Sequence, residues 1–275
     1  MNPKGSIGIF DSGLGGLAIL KEIVKLLPQY DYIYLGDNAR VPYGSRSPEL
    51  IYSFTQKAVD YLFSQNCQLV VLACNTVTAV ALPKIQKEYL PKHYPTRRVL
   101  GVIQPTLEAV TSNGHKRIGL IGTRATVASQ GFIKKVKELS PDVEMFQNAS
   151  PLLVPYIEEG NRNGQILDLI LDEYLKPLLK QRIDSLILGC THYGLVAGKV
   201  AKRAGKNVTV ISEGPIVAEK LADYLKRHPE IDKKLGKNGK RKYFVTDLPE
   251  RYTDMARMFL GEMFGKKDEL ELVGL

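Results

Sequence analysis

Cysteine is scarce in this chain of 275 residues, and the three that occur, Cys67, Cys74 and Cys190, show no paired spacing. A framework of disulfides is therefore not expected, and free thiols fit a reducing compartment. Histidine is nearly as scarce, with four residues, and the histidines and cysteines do not recur at the short spacings of a metal site. We predict that the protein holds no metal ion.

The sequence also lacks long apolar runs, since no stretch reaches the roughly 18 residues that a membrane-spanning helix requires. Its hydrophobic content of 44% is nevertheless ample for packed cores. The length of the chain favours about two domains. These features predict a soluble, cytoplasmic protein with no membrane partner.

Acidic residues are outnumbered by basic ones, 29 to 38, which gives a formal net charge of +9. The basic residues are densest at 233–242, a Gly/Lys-rich segment typical of a solvated loop. No nucleic-acid-binding motif accompanies this charge. A nucleic acid is therefore not an expected partner, although retention on a polyanion that persists at high salt would favour one.

Short apolar segments that end in small or polar residues alternate with segments of helical spacing along the chain. The strands are predicted at 6–10, 30–36, 69–73, 99–103, 117–123, 143–146, 185–189, 208–211 and 243–246. Helical spacing covers 17–27, for example, and Ser47 followed by Pro48 begins another helix. The alternation predicts an α/β protein with mostly parallel sheets, whose ligands bind beyond the carboxyl ends of the strands.

Two of the predicted strands deliver a cysteine to the edge of a sheet. Residues 69–76 (LVVLACNT) and 185–193 (SLILGCTHY) share an apolar approach, a small residue before the cysteine and polar residues after it. Helix N-termini and nearby donors stabilise a thiolate in such a place and lower its pKa from about 8.5, so Cys74 and Cys190 are candidate bases or nucleophiles. A thiol hydrolase or acyl transferase that uses Cys190 with His192 is one alternative, and it leaves Cys74 without a role.

The positions of these landmarks suggest two related halves. Similar offsets along the chain separate Gly8 from Gly119 and Cys74 from Cys190. The proline-containing basic stretch 91–98 between the halves has the composition of a linker.

The turn after the first strand has more than one interpretation. Asp11 and Ser12 either cap the next helix or place a carboxylate where it assists a proton transfer. Residues 13–18 match the loose dinucleotide-binding pattern G-x-G-x-x-A, and Asp37 lies about where a ribose-binding acid is expected. Against a dinucleotide, Asp11 would place a negative charge beside the pyrophosphate, and neither thiol would have a role.

Four short motifs resemble, in order and spacing, those of the glutamate racemases within the aspartate/glutamate racemase superfamily. They are FDSGLGG at 10–16, DNARVPYG at 37–44, ACNT at 73–76 and GCTHY at 189–193. The resemblance runs nearly end to end. Departures occur at Thr106, where glycine usually follows Gln-Pro, at Gly194, where proline usually follows His-Tyr, and at Ser212 and Glu213, where Asp-Ser is common. None of them removes a catalytic group.

The resemblance implies two similar α/β lobes, each with a mostly parallel sheet flanked by helices, and an active site in the cleft between them. The N-terminal lobe would comprise residues 1–98 completed by 213–275, and the central lobe residues 99–212. The family's usual homodimer and cofactor-independent activity are expected. The implied function is racemisation of L- and D-glutamate, which supplies D-glutamate for peptidoglycan synthesis; racemisation of aspartate by the same chemistry is the alternative.

Inversion at Cα explains why the family needs two acid/base groups, because a hydrogen must leave one face while another returns to the opposite face. The resemblance assigns Cys74 to D-glutamate and Cys190 to L-glutamate. It assigns Asp11 and Glu158 to assisting Cys74, and His192 to assisting Cys190. The implied substrate-binding residues are Asp11, Ser12, Pro42, Tyr43, Gly44, Asn75, Thr76, Thr191 and His192.

Overall fold

The computed structural model describes residues 4–248, 250–265 and 267–275, which form two β-sheets flanked by helices. The strands, numbered in chain order, are β1 Ser6–Asp11, β2 Tyr32–Gly36, β3 Cys67–Leu72, β4 Arg98–Gly101, β5 Arg117–Gly122, β6 Glu144–Ala149, β7 Ser185–Gly189, β8 Thr209–Ile211, β9 Arg241–Val245 and β10 Leu270–Leu272. Neighbouring strands run parallel in both sheets, so the predicted α/β class is confirmed.

Helices connect these strands throughout the described part of the chain. The α-helices are α1 Leu17–Leu26, α2 Pro48–Ser64, α3 Asn75–Val80, α4 Leu82–Lys84, α5 Leu90–His93, α6 Ile103–Ser112, α7 Arg124–Ser129, α8 Gly131–Leu139, α9 Leu153–Glu158, α10 Gln165–Leu179, α11 Ala197–Ala204, α12 Glu213–Arg227, α13 Pro229–Asp232 and α14 Arg251–Leu260. Short 3₁₀ segments lie at Asn38–Arg40, Tyr43–Ser45, Thr191–Val196 and Gly261–Met263, and a π-helical turn, Ile85–Tyr89, joins α4 to α5. As predicted, Ser47 caps α2, accepting a hydrogen bond from the Leu50 N–H.

Both sheets are built on the same four-strand order. The larger sheet runs β10-β9-β2-β1-β3-β4, and the smaller sheet runs β6-β5-β7-β8. Strands β5 to β8 therefore repeat the arrangement of β1 to β4, as the matched offsets along the sequence predict. Strands β9 and β10 come from the end of the chain and extend the larger sheet beyond β2.

The central strands are buried on both faces, as expected for parallel sheets covered by helices. All five residues of β2 and all five of β7 are buried. In β1, Ile7 and Ile9 join one hydrophobic cluster, and Phe10 joins another on the opposite face. Continuous apolar runs in the sequence therefore mark the inner strands of each sheet.

The stretch 91–98 is not a linker, so this prediction is wrong. Pro91 lies in the first turn of α5, where its missing N–H costs no helical hydrogen bond. Arg98 begins β4, whose four residues pair with β3 in the larger sheet. This strand ends at Gly101, two residues before the end of the predicted strand 99–103, because α6 begins at Ile103. The expected lobe boundary between residues 98 and 99 therefore falls inside β4.

The C-terminal part of the chain returns to the larger sheet. Helix α12 packs along α1, with Val217, Leu221 and Leu225 in the same hydrophobic cluster as Leu17 and Leu20. Strand β9 then pairs with β2, and α14 also contacts α1. Across the described residues, no helix combines the length and apolar character that crossing a membrane requires.

Replacement of Leu171 with alanine tests the core beside the smaller sheet. Leu171 is fully buried on α10, so Leu171→Ala should lower the free energy of unfolding by about 2–5 kcal/mol. Leu169 lies on the same helix but is 63% exposed, so Leu169→Ala is the matched control and should change stability by less than about 0.5 kcal/mol. Urea unfolding followed by circular dichroism measures both variants. Equal losses would contradict the burial of this face of α10.

Candidate active site

Each sheet presents one thiol beyond the carboxyl end of a central strand. Strand β3 ends two residues before Cys74, and β7 ends directly before Cys190. Strand β1, which lies beside β3, ends at Asp11. The thiols thus occupy equivalent places in the two repeated sheets, where parallel folds bind their ligands.

Cys74 lies directly before α3 and is 7% exposed. Its Sγ is 3.5 Å from the Ser12 hydroxyl. Burial, together with interactions with Asp11 and Cys190, raises the pKa of the Cys74 thiol to about 12, against the lowering effect of Ser12 and the Val77 N–H. Cys74 is therefore a protonated thiol at neutral pH.

Cys190 has different neighbours. Its Sγ lies 3.8 Å from Nδ1 of His192, whose Nε2 lies 3.0 Å from Oε1 of Glu158. The second contact is close enough for an ion pair but lacks the alignment of a directed hydrogen bond. Burial lowers the pKa of His192, yet interactions with Cys190 and Glu158 outweigh burial and raise it from 6.5 to about 10. His192 therefore carries a positive charge at neutral pH.

Glu158 lies on the Cys190 side of the site. The resemblance assigns it to assisting Cys74, but its carboxylate meets His192 instead. The adjacent Glu159 points to Arg251, 2.9 Å away, at the exposed surface. The structure thus distinguishes two neighbouring glutamates that the sequence alone leaves equivalent.

The two lobes touch where the turn after β1 meets the segment after β7. A β carbon added to Gly15 would lie 2.4 Å from Thr191 Oγ1 and 2.6 Å from the His192 ring, so only glycine permits this approach. The charge of His192 acts on Asp11 across this contact, and the charge of Cys190 acts on Cys74. The two thiols therefore belong to one electrostatic environment.

Asp11 is a buried carboxyl at the centre of this environment. Its Oδ2 accepts a hydrogen bond from the Gly13 N–H at 3.0 Å, and its Oδ1 has no hydrogen-bond partner among the described residues. Burial raises the pKa of Asp11 above its usual value, while His192 and the backbone N–H groups of Gly13 and Gly16 oppose that rise. An unpartnered buried oxygen is an acceptor or proton carrier available to a ligand.

A cluster of threonines forms a second contact between the lobes. Thr76 Oγ1 is 2.8 Å from Thr123 Oγ1 and 3.1 Å from Thr126 Oγ1. Gly44 also packs here, since a β carbon on it would lie 2.7 Å from Thr123 Cβ. The hydroxyl of Thr76, an expected substrate-binding group, is engaged with the opposite lobe in this state.

The remaining expected binding residues lie near this contact with different surroundings. Tyr43 is buried and donates a short hydrogen bond to Asp37, whereas the side chain of Pro42 is exposed. Burial, together with Asp37, raises the pKa of Tyr43 well above its usual value. Asn75 Nδ2 donates to Oε2 of Glu213 at 2.5 Å. Tyr43 and Asn75 are thus fixed by protein partners before a ligand enters.

The dinucleotide interpretation is wrong. Asp37 is fully buried, so a ribose cannot reach it, and both of its oxygens accept hydrogen bonds from protein groups: Tyr43, Arg40 and Thr246. The backbone at Gly15 is covered by the opposite lobe, in the place where a pyrophosphate would lie. Asp37 instead supports the segment that carries Tyr43.

The site is closed, since Cys74 and Cys190 are only 7% and 9% exposed. Entry of a ligand between the thiols therefore requires the lobes to separate.

A cavity of about 1010 Å³ lies elsewhere, between α3, α6 and α12, and none of the expected site residues lines it. Within the described residues, no group of three His, Cys, Asp or Glu side chains is arranged to hold a metal ion.

Sequence reasoning missed Thr123, Thr126 and Glu213 as neighbours of the site. Thr123 follows β5, the counterpart of β1, so its place after a strand was the available signal. Glu213 directly follows Ser212 at the start of α12, after the short strand β8. These two positions after strands become informative only when it is known which strand ends lie together, and the sequence alone does not show this.

Comparison with known proteins identifies the family to which this fold belongs. The family model described as Asp/Glu/Hydantoin racemase matches residues 7–221. The chain belongs to this racemase family. A racemase of this family, the glutamate racemase of Geobacter metallireducens, is 38% identical over 274 residues, which cover 98% of each chain.

Solved structures extend this family relationship to the fold. The glutamate racemase of Francisella tularensis, crystallised in complex with D-glutamate, has a TM-score of 0.87 and 32% identity over 98% of each chain. The aspartate racemase of Picrophilus torridus has a TM-score of 0.54 and 21% identity, covering 81% of this chain and 95% of its own, and shares the fold alone. The racemase fold with two parallel sheets is thus confirmed.

Gly15→Ala tests the contact between the lobes. The added methyl group collides with Thr191 and His192, so we expect a loss of about 1–3 kcal/mol in unfolding free energy and faster labelling of the buried thiols by Ellman's reagent. Gly198→Ala is the matched control, because nothing lies within 4 Å of its added β carbon. Unchanged labelling in Gly15→Ala would show that the lobes do not meet at this residue.

Glu158→Gln tests the charge on His192. Removing the carboxylate should lower the pKa of His192 from about 10, whereas Glu159→Gln should leave it unchanged. Because the pKa is raised on folding, the stability that this imidazolium contributes is complete below about pH 6.5 and is lost as the pH rises through about 10. NMR titration of the His192 ring protons measures the shift. An equal effect of both variants would refute the specific pairing with Glu158.

Proposed function

We propose that this protein interconverts L- and D-glutamate by proton transfer at Cα between two cysteines, without a cofactor. The observation that carries the proposal is the pair of thiols at equivalent strand ends, Cys74 and Cys190, in one buried environment between the lobes. Membership of the racemase family and the full-length similarity to glutamate racemases support it.

The two thiols are proposed to act from opposite faces of the substrate. With L-glutamate, the thiolate of Cys190 removes the Cα proton, and the thiol of Cys74 delivers its own proton to the other face. With D-glutamate the roles are reversed, so each turnover leaves the protein's proton count unchanged. One base alone would return the proton to the face from which it came.

The two sulfurs have different surroundings. Burial and Asp11 raise the pKa of Cys74, which suits a proton donor. His192 carries a positive charge, and its Nδ1 lies 3.8 Å from the sulfur of Cys190, the residue proposed to accept the Cα proton of L-glutamate.

Removal of the Cα proton requires stabilisation of the negative charge that spreads onto the α-carboxylate. Backbone N–H groups near Ser12, Asn75, Thr76 and Thr191 are the proposed donors. Asn75, Thr76 and Thr191 lie at the starts of helical segments, and Ser12 lies in the turn after β1. The closed form excludes water, which strengthens each of these interactions. Substrate entry and product release then depend on movement between the lobes.

The location, the oligomeric state, the biological role and the lobe boundaries of the protein are proposed together with this function. A cytoplasmic location fits three cysteines that are all free thiols. A homodimer is expected from the family and is tested by sedimentation equilibrium. The D-glutamate produced would serve peptidoglycan synthesis. With β4 in the larger sheet, we place the first lobe boundary after Gly101, and the second close to residue 213.

Cys74→Ser and Cys190→Ser test the two-base assignment. Each variant should lose racemisation by about 100-fold or more while its circular dichroism spectrum is unchanged, because each lacks one of the two acid/base groups. Cys67→Ala is the matched control: this thiol is fully buried at the start of β3, away from the site, so the variant should retain racemisation. Polarimetry with L-glutamate, L-aspartate and both D-enantiomers measures the rates.

Reactions in deuterated water separate the alternatives. The wild type should place solvent deuterium at Cα of the inverted product, and the remaining thiol in Cys190→Ser should exchange the Cα hydrogen of D-glutamate only. Near-normal turnover in either site variant would refute the two-base mechanism. Turnover of aspartate in preference to glutamate would favour the alternative substrate, and a covalent acyl group on Cys190 without deuterium at Cα would indicate a hydrolase or transferase.

A further inference from the structure

Glu213 is a buried carboxyl beside the site that the proposed proton transfers do not use. It is 4% exposed at the first residue of α12. Its Oε2 accepts from Asn75 Nδ2 at 2.5 Å, and its Oε1 lies 3.4 Å from Thr106 Oγ1. Asn75 directly follows Cys74 in the sequence, so the Glu213 carboxyl contacts the neighbour of a reacting residue.

No positive charge compensates Glu213 among the described residues. Of the charged groups on the helices packed around it, Glu22 pairs with Lys25 on α1, and Glu108 of α6 pairs with Lys220 of α12. Burial raises the pKa of Glu213 to about 8, against the hydrogen bonds from Asn75 and Thr106. Near neutral pH the carboxyl is therefore mostly neutral.

Thr106 connects Glu213 to the backbone. Its hydroxyl lies 2.8 Å from the Val102 carbonyl oxygen and 3.4 Å from Oε1 of Glu213, and it is the donor group in both contacts. A chain of hydrogen bonds therefore runs from Asn75 through Glu213 and Thr106 to the backbone.

This chain determines which end of the Asn75 amide is free. Its Nδ2 is committed to Glu213, and its Oδ1 is buried with no hydrogen-bond partner among the described residues. A carbonyl oxygen accepts hydrogen bonds and cannot donate them, so it matches an ammonium group and repels a carboxylate.

We propose that Glu213, together with Thr106, is a positioning residue that holds the Asn75 amide so that its Oδ1 accepts a hydrogen bond from the α-ammonium group of the substrate. The inference rests on the proposed function, which supplies an amino acid as the ligand. Thr106 and Glu213 are also two of the positions at which the sequence departs from the family pattern, and they contact each other. Two departures that contact each other indicate a single local function.

Glu213→Leu removes the acceptor for Asn75 while keeping a side chain of similar size. KM for both enantiomers of glutamate should rise about ten- to a hundredfold with a smaller change in kcat, because a contact to the bound ammonium group is lost in ground state and transition state alike. Glu213→Gln should restore KM, since its carbonyl accepts from Asn75 and its amide donates to Thr106. Glu219→Leu, at an exposed position of the same helix, is the matched control and should leave KM unchanged.

The readouts separate this inference from a structural role and from the proposed function. An unchanged KM in folded Glu213→Leu, or an equal rise in Glu213→Gln, would overturn the inference. Should Glu213→Leu fail to fold, Thr106→Val removes the next link of the chain and should raise KM in the same direction; an unchanged KM there would also overturn it. Loss of turnover in the Cys74 and Cys190 variants tests the proposed function independently, so either conclusion can fail alone.

Discussion

The absence of a side chain at Gly15 is the constraint on which the site depends. It lets the turn after β1 lie against Thr191 and His192, the residues that follow the thiol of the smaller sheet. Cys74 and Cys190 come from different sheets, so no local structure can hold them together. The contact at Gly15 and the threonine cluster at Thr76 provide that connection, and both exclude water from the space between the lobes.

Burial then sets the chemistry of the groups it encloses. Withdrawal from water disfavours charge, so the pKa values of Asp11, Cys74 and Glu213 are all raised. His192 is the exception, because interactions with Cys190 and Glu158 outweigh burial and keep the ring protonated. Neutral acids therefore surround Cys74, whereas a positive charge lies beside Cys190.

Much of this was predictable from periodicity and motif. Apolar runs ending in a cysteine located both thiols, and matched offsets predicted two repeated sheets, which the strand orders share. Composition misled at 91–98, where a proline in the first turn of α5 and the start of strand β4 have the composition of a linker. The match of residues 13–18 to a dinucleotide pattern, which the position of Asp11 already disfavoured, has another explanation, since glycine here permits close contact between the lobes.

The sequence by itself determined the elements: which segments are strands, where each ends, and which reactive side chain follows each end. Only the tertiary structure decided which ends meet. It directed Glu158 rather than Glu159 to His192, and it brought Glu213 to Asn75 from 138 residues away. The physical reason is that strand and helix formation depend on neighbours along the chain, whereas partners and pKa values depend on burial and on charges that packing alone assembles.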